Sequence, residues 1–252
     1  MDNRFISYMV GRGEEPRDLY AEGVSKNSTH MATASAQSGT DSIDTSWLKG
    51  AAEVYNLSPD LRDYVIMPCV TIVTNLPNVN GDAMTAAELM KFDPTLGNYA
   101  YRSFVGKPTY REHRENTVYQ KAKGVILDAY MGVLPRYNRA KLVELLAFDR
   151  SKDPDLANRI LTRQINTASM GVFFQAYRCS ISDRVYRAGE LEGKFTQRGV
   201  PTRVLDVAGK RRLAFRYLMD LCGFETSAVE VPAYTCAVSD VVTDVRAGRI
   251  IG

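Results

Sequence analysis

The chain has 252 residues, 45% hydrophobic and 24% charged, with a formal net charge of +3. That length suits one large domain or two small ones around a sizeable core. The near balance of interspersed charges argues against nucleic acid as a partner. The one dense cationic run, Lys210-Arg211-Arg212, precedes apolar residues at helical spacing and reads as a solvated helix face. Cys69, Cys179, Cys222 and Cys236 are scattered without a C-x-x-C pair, and only two histidines, His30 and His113, could complete a zinc site. No metal or other cofactor is therefore expected. No stretch approaches the roughly 20 apolar residues of a membrane helix, and no signal peptide is recognisable, which points to reduced thiols in a cytoplasm.

Residues 1–50 read as a polar arm. Between Ser25 and Ser46 the chain is Ser, Thr, Ala and Gly with hardly a large apolar side chain, too little to offset the entropy of ordering alone. His30 lies in this arm and reads as solvated. Folding is expected from near Trp47. Tyr64–Thr74 is β-branched and apolar, a buried strand in which Pro68 suggests an edge or a bulge. Asn80-Gly81 marks a turn, and Thr85 with Glu88 forms a capping-box pattern that starts a short helix through Lys91. Lys123–Val133 reads as a strand. Asn138–Phe148 reads as a helix with Leu142, Leu145 and Leu146 on one face. A second helix opens at Asp153-Pro154 and runs to about Arg163. Met170–Tyr177 returns to strand, residues 182–204 are a polar loop or hairpin, and Leu205–Leu221 reads as a third helix capped by Gly223. Thr226–Val231 is a last strand, followed by a turn or short helix. The expected class is α+β, a mostly antiparallel sheet or barrel flanked by several helices.

Chemistry narrows the candidates further. A hydrolase that activates a serine needs a base that titrates near neutrality, and histidine is the usual one. His113 sits in a polar segment, Gly106-Lys-Pro-Thr-Tyr-Arg-Glu-His113, where loops and strand ends present reactive groups. Ser169 stands in Asn166-Thr-Ala-Ser-Met-Gly171, where Ala168 and Gly171 leave room for a carbonyl to approach backbone N–H groups. On composition alone, a serine at a core edge and a surface histidine describe the same residues.

Three segments together resemble the prohead (capsid maturation) proteases of tailed bacteriophages, which are similar in fold to the herpesvirus assemblins. Gly106-Lys-Pro-Thr-Tyr-Arg-Glu-His113, with the strand Lys123-Gly-Val-Ile-Leu-Asp128 after it, resembles the family's G-[KR]-P…H loop and following strand. Ile165-Asn-Thr-Ala-Ser169-Met-Gly171-Val resembles its S-[MIV]-G nucleophile strand. Phe224-Glu-Thr-Ser-Ala-Val-Glu-Val-Pro-Ala-Tyr-Thr-Cys-Ala237 resembles its closing segment, and Asn78-Val-Asn-Gly81 its early N-x-N-G turn. The resemblance covers roughly residues 60–237, each motif being short and the order and spacing carrying the match.

The resemblance implies a serine endopeptidase that cleaves scaffold and capsid proteins, and itself, within an assembling phage head in the host cytoplasm. It implies Ser169 as nucleophile, His113 as base and Glu225 as the third group, with Asp183 and Asp128 as alternatives for that place. Arg178, Arg184 and Arg187 are candidates for the arginine that assemblins keep near the oxyanion. Assemblins work as dimers, so a homo-oligomer is implied too. Residues 51–252 would form the protease-like domain, and 182–221 a likely insertion between nucleophile and third group. Leu191-Glu-Gly193 is either a self-cleavage site or a turn. The alternative from another class is a non-catalytic virion protein on the same fold, binding capsid or neck proteins through the arm and the insertion.

Overall fold

Helix α1 (Leu48–Tyr55) opens the part of the chain that the computed structural model describes, which comprises residues 48–113, 116, 118–134, 137–190, 194–196, 201–232 and 237–252. Residues 1–47 with His30, Leu191-Glu-Gly193 and Cys236 lie outside the described residues. Leu48 and Ala52, four apart, make the buried stripe of α1.

The strands follow in chain order. β1 (Tyr64–Val73) is buried along its whole length, and β2 (Asp82–Ala83) leads into the single turn of α2 (Ala86–Leu89), whose Thr85 side chain accepts from the Glu88 N–H. β3 (Phe92–Asp93) and β4 (Asn98–Tyr99) make a small exposed hairpin, and β5 (Pro108–Arg111) is a short buried strand. β6 (Gly124–Leu134) and β7 (Arg139–Asp149) form a long antiparallel pair. Asp153 caps α3 (Pro154–Leu161), with Pro at the first helical position as expected. β8 (Ala168–Phe173), β9 (Ala176–Cys179) and β10 (Val185–Arg187) come next. Then come β11 (Thr202–Leu205), β12 (Arg211–Ala214), β13 (Arg216–Met219) and β14 (Cys222–Ala228). A terminal hairpin, β15 (Val242–Asp244) and β16 (Arg249–Ile251), ends the chain.

Eight strands form the main sheet in the order β16-β15-β1-β7-β6-β5-β14-β8, and four form a second in the order β10-β9-β13-β2. Within the second sheet Arg216 of β13 forms a buried pair with Asp82 of the adjacent β2 (2.6 Å) and also lies over the Tyr177 ring of β9. The larger sheet curls without closing. Glu144 of β7 accepts hydrogen bonds from Thr71 of the adjacent β1 (2.9 Å) and from Thr226 of β14 (2.7 Å), although β7 and β14 are three apart in the sheet order. The concave face holds the main core, with Met67, Leu142, Leu146, Phe148, Ala168 and Met170. Part of the opposite face, with Tyr64, Ile66, Val125 and Leu145, is covered by α1.

The α+β class holds, but the sheets are not closed into a barrel, and helices are few and short. Two expected helices are strands. Asn138–Phe148 lies almost wholly in β7, where Lys141, Leu142, Val143, Glu144, Leu145 and Leu146 are all buried. A strand covered on both faces shows no alternation, and its i, i+3, i+4 leucines imitate a helix. Leu205–Leu221 is broken by a tight turn: Asp206 accepts from the Ala208 and Lys210 N–H groups, and Gly209 sits at φ +72°. Gly223 is not a helix cap but lies inside β14, and the strand expected at 226–231 starts earlier, at Cys222. Pro68 lies where β1 is paired on one side only, with Leu145 of β7, because the pairing with β15 is confined to Val65 and Ile66. The local edge expected there is present, while the irregularity of β1 falls at Val70/Ile72. The Met170–Tyr177 strand is interrupted between Phe173 and Ala176. The 182–221 segment is therefore all-β where it is described, supplying strands to the second sheet and a separate hairpin.

Two ionisable groups are buried in β7 at a cost. Burial pushes the Glu144 carboxyl up to about 7, and the negative charge of Glu225 adds to the push. Burial pulls the Lys141 ammonium down to about 8, and its Nζ has no hydrogen-bond partner among the described residues. For Glu144 the folded state binds more protons than the unfolded one between pH 4.5 and about 7. Stability is thus lost as pH rises through that window, by about 3 kcal/mol. Urea titrations across this range are expected to show the loss in the native protein and a flatter profile in Glu144→Gln. An unchanged slope in the variant would contradict the assignment. For Lys141 the sign reverses: the unfolded state binds more protons between about 8 and 10.5, so stability rises with pH there. Lys141→Met is expected to stabilise the fold at neutral pH by about 3 kcal/mol, read as a higher urea midpoint.

Candidate active site

Strand register builds the site. β14 lies between β5, to which it runs parallel, and β8, to which it runs antiparallel. Ser227 faces Ser169 across the β14–β8 pair, and Glu225 faces Gly171. Alternate residues share a face, so Ser169, Gly171, Glu225 and Ser227 all stand on the face opposite Met170 and Thr226, which point into the core.

A bulge between Gly223 and Glu225 sets Phe224 and Glu225 together against Gly171. A side chain at Gly171 would collide with both: its Cβ would fall 2.4 Å from Phe224 Cζ and 2.6 Å from Glu225 Oε1. Glycine is thus required by close approach rather than by backbone conformation. Gly171→Ala is expected to displace the carboxylate, to cost about 1–3 kcal/mol and to reduce any Ser169-dependent activity. Thermal melts and activity assays on the same preparation check both. Beside the glycine, Phe173 stacks on Phe224 with ring centroids 4.4 Å apart and is 47% exposed, an apolar platform at the rim of the site.

His113 arrives from the other side of β14. β5 ends at Arg111, the Glu112 N–H donates to the Ala228 carbonyl, and Glu112 adopts φ +66°. That left-handed residue turns the chain so that His113 Nδ1 lies 3.0 Å from Glu225 Oε1. The other carboxylate oxygen, Oε2, accepts from the Ser227 hydroxyl at 2.6 Å. The Glu225 side chain is 1% exposed and that of His113 15%, so the pair is sheltered yet reachable.

Ser169 is 3% exposed, and its Oγ makes no hydrogen bond among the described residues. It stands one same-face step, about 7 Å, along β8 from the glycine that the Glu225 carboxylate covers. Ser169 thus shares a sheet face with the carboxylate that holds the imidazole, and its Oγ makes no hydrogen bond to the ring. In hydrolases that contact often forms only with substrate bound. Ala168 donates its N–H to Ala237 on the outer side of β8, while the Thr167 carbonyl faces β14. By alternation the Met170 N–H points outward too, beside Ser169, where it can serve an oxyanion.

His113 and Glu225 are in contact, and Ser169 shares their sheet face. Asp128 does not join them, being paired with Arg102 and the Ala129 N–H. Asp183 is exposed and paired with Arg178. Arg178 also stacks on Tyr217, and with Arg184 and Arg187 it belongs to the β9–β10 hairpin of the second sheet rather than to this face. Sequence reasoning missed Ser227, which stood in plain view in Glu225-Thr-Ser227, where i, i+2 spacing on a strand puts both on one face.

Among the described residues no cluster of His, Cys, Asp and Glu could hold a metal ion, and no helix is long and apolar enough to cross a membrane. No family model matches the chain, and no curated protein or solved structure is significantly similar to it.

Proposed function

We propose that the chain is a serine endopeptidase of the phage prohead protease type, acting on scaffold and capsid proteins during head assembly. The observation that supports this most is the His113–Glu225 pair, held 3.0 Å apart on the sheet face that carries Ser169. A histidine tied through Nδ1 to a buried carboxylate keeps Nε2 available as a base. Ser169 attacks the scissile carbonyl while His113 takes its proton, and the Met170 N–H faces the developing oxyanion. The tetrahedral intermediate collapses as His113 returns the proton to the leaving amine, leaving an acyl-Ser169 ester. Water, deprotonated by the same histidine, hydrolyses the ester and restores the hydroxyl.

The test is co-expression with candidate phage capsid and scaffold proteins, native chain against Ser169→Ala, with intact-mass spectrometry of all products. Fragments that appear only with Ser169 support the reading. Identical masses in both samples, with particles assembling around an intact chain, would instead favour the non-catalytic virion role.

A further inference from the structure

We infer that Ser227 is a fourth member of this site, a positioning residue that fixes Glu225 for His113; the inference rests on the proposed roles of His113 and Ser169. The Glu225 side chain is almost wholly removed from water, and a buried carboxylate held at one oxygen only is both costly and free to rotate. Ser227 supplies the second anchor. Its hydroxyl donates to Oε2 at 2.6 Å, a length typical of a charge-assisted bond, and Ser227 itself is fully buried. With Oε2 held by Ser227 and Oε1 facing Nδ1, the carboxylate plane is fixed along the line between β14 and the turn after β5. Gly171 beneath it leaves the space the carboxylate needs.

The same geometry separates two serines that face each other across neighbouring strands. The Ser227 proton is committed to a carboxylate, so its oxygen is not the one that His113 deprotonates. The Ser169 hydroxyl carries no such commitment among the described residues. Ser227 acts through Glu225 on the histidine and does not touch the reacting atoms.

The experiment uses the full chain, its Ser227→Ala and Ser227→Thr variants, and two readouts. The first is the rate at which a fluorophosphonate probe labels Ser169, located by peptide mapping. The second is the nitrogen-15 spectrum of the imidazoles at mildly alkaline pH, where the only other histidine, His30, serves as an internal reference. In the native chain His113 is expected to show a protonated Nδ1 and a bare Nε2. Ser227→Ala is expected to slow labelling about 10- to 100-fold, the range seen when a hydrogen-bond partner that orients a metal-bound side chain is removed, and to mix the His113 tautomers. Ser227→Thr, which keeps the hydroxyl, is expected to restore both, with melting curves reporting whether each variant folds.

Unchanged labelling and an unchanged spectrum in a folded Ser227→Ala protein overturn the inference. So does slower labelling with the His113 tautomer intact, because the effect would then not pass through Glu225. If the native chain fails to label at Ser169, the protease reading falls, and the imidazole spectrum still decides whether Ser227 orients the pair.

Discussion

Ser169→Ala is expected to abolish peptide-bond cleavage while leaving the fold untouched. The loss should be about 10⁶-fold in kcat, as for a serine nucleophile that works with a histidine base. The stability effect should be small. Ser169 is buried but its Oγ makes no hydrogen bond among the described residues, so removing it breaks none of the bonds that hold β8 to β14. A matched melting temperature with no detectable turnover is the expected pair of results. Residual cleavage at the native rate would assign the activity to another residue, with Ser227 opposite it the first to examine.

Glu225→Gln carries the second largest expected effect, about 10⁴-fold, and is the sharper probe of mechanism. The amide has the size of the carboxylate, so Gly171 and Phe224 need not move. Either orientation of the amide fails chemically. With its N–H₂ toward Nδ1, the histidine is forced to carry its proton on Nε2, where it cannot accept one from Ser169. With its oxygen toward Nδ1, the tautomer survives, but no negative charge remains to stabilise the imidazolium. Steady-state cleavage with a substrate segment identified by co-expression measures the loss, and a rate within tenfold of native would remove Glu225 from the site.

The strands at 64–73 and 124–134 were legible because their composition is β-branched and apolar and turn residues bound them. The α3 cap was legible because Asp153 and Pro154 act within one turn of chain. The failures share a cause. β7 is rich in helix-forming Leu, Ala, Lys and Glu, and what makes it a strand is pairing with β1 and β6 on either side, which local propensity does not contain. The hairpin at 202–214 was hidden by apolar residues at helical spacing, although Asp206-Val-Ala-Gly209 held the turn signal. β14 was placed late because Gly223 resembles a cap, whereas its missing side chain in fact makes room for the Phe104 ring.

The candidate site was legible to a different degree. With two histidines in the whole chain, His113 followed by elimination once His30 was read as part of a polar arm. Ser169 was marked by its small neighbours, and Glu225 by resemblance alone. What sequence could not supply was the strand order β5-β14-β8, which sets the end of β5 beside a strand more than a hundred residues away. That order selects Glu225 over Asp128 and Asp183 as the partner of His113. It also reveals Ser227, whose role depends on which face of β14 it shares.

Whether Ser169 is a nucleophile activated by His113 is tested most directly by incubating the full chain with a fluorophosphonate probe, native against His113→Gln, with the adduct located by peptide mapping. A single adduct on Ser169 that disappears in the variant is the predicted result. No adduct on Ser169, or one that forms equally fast without His113, would contradict it.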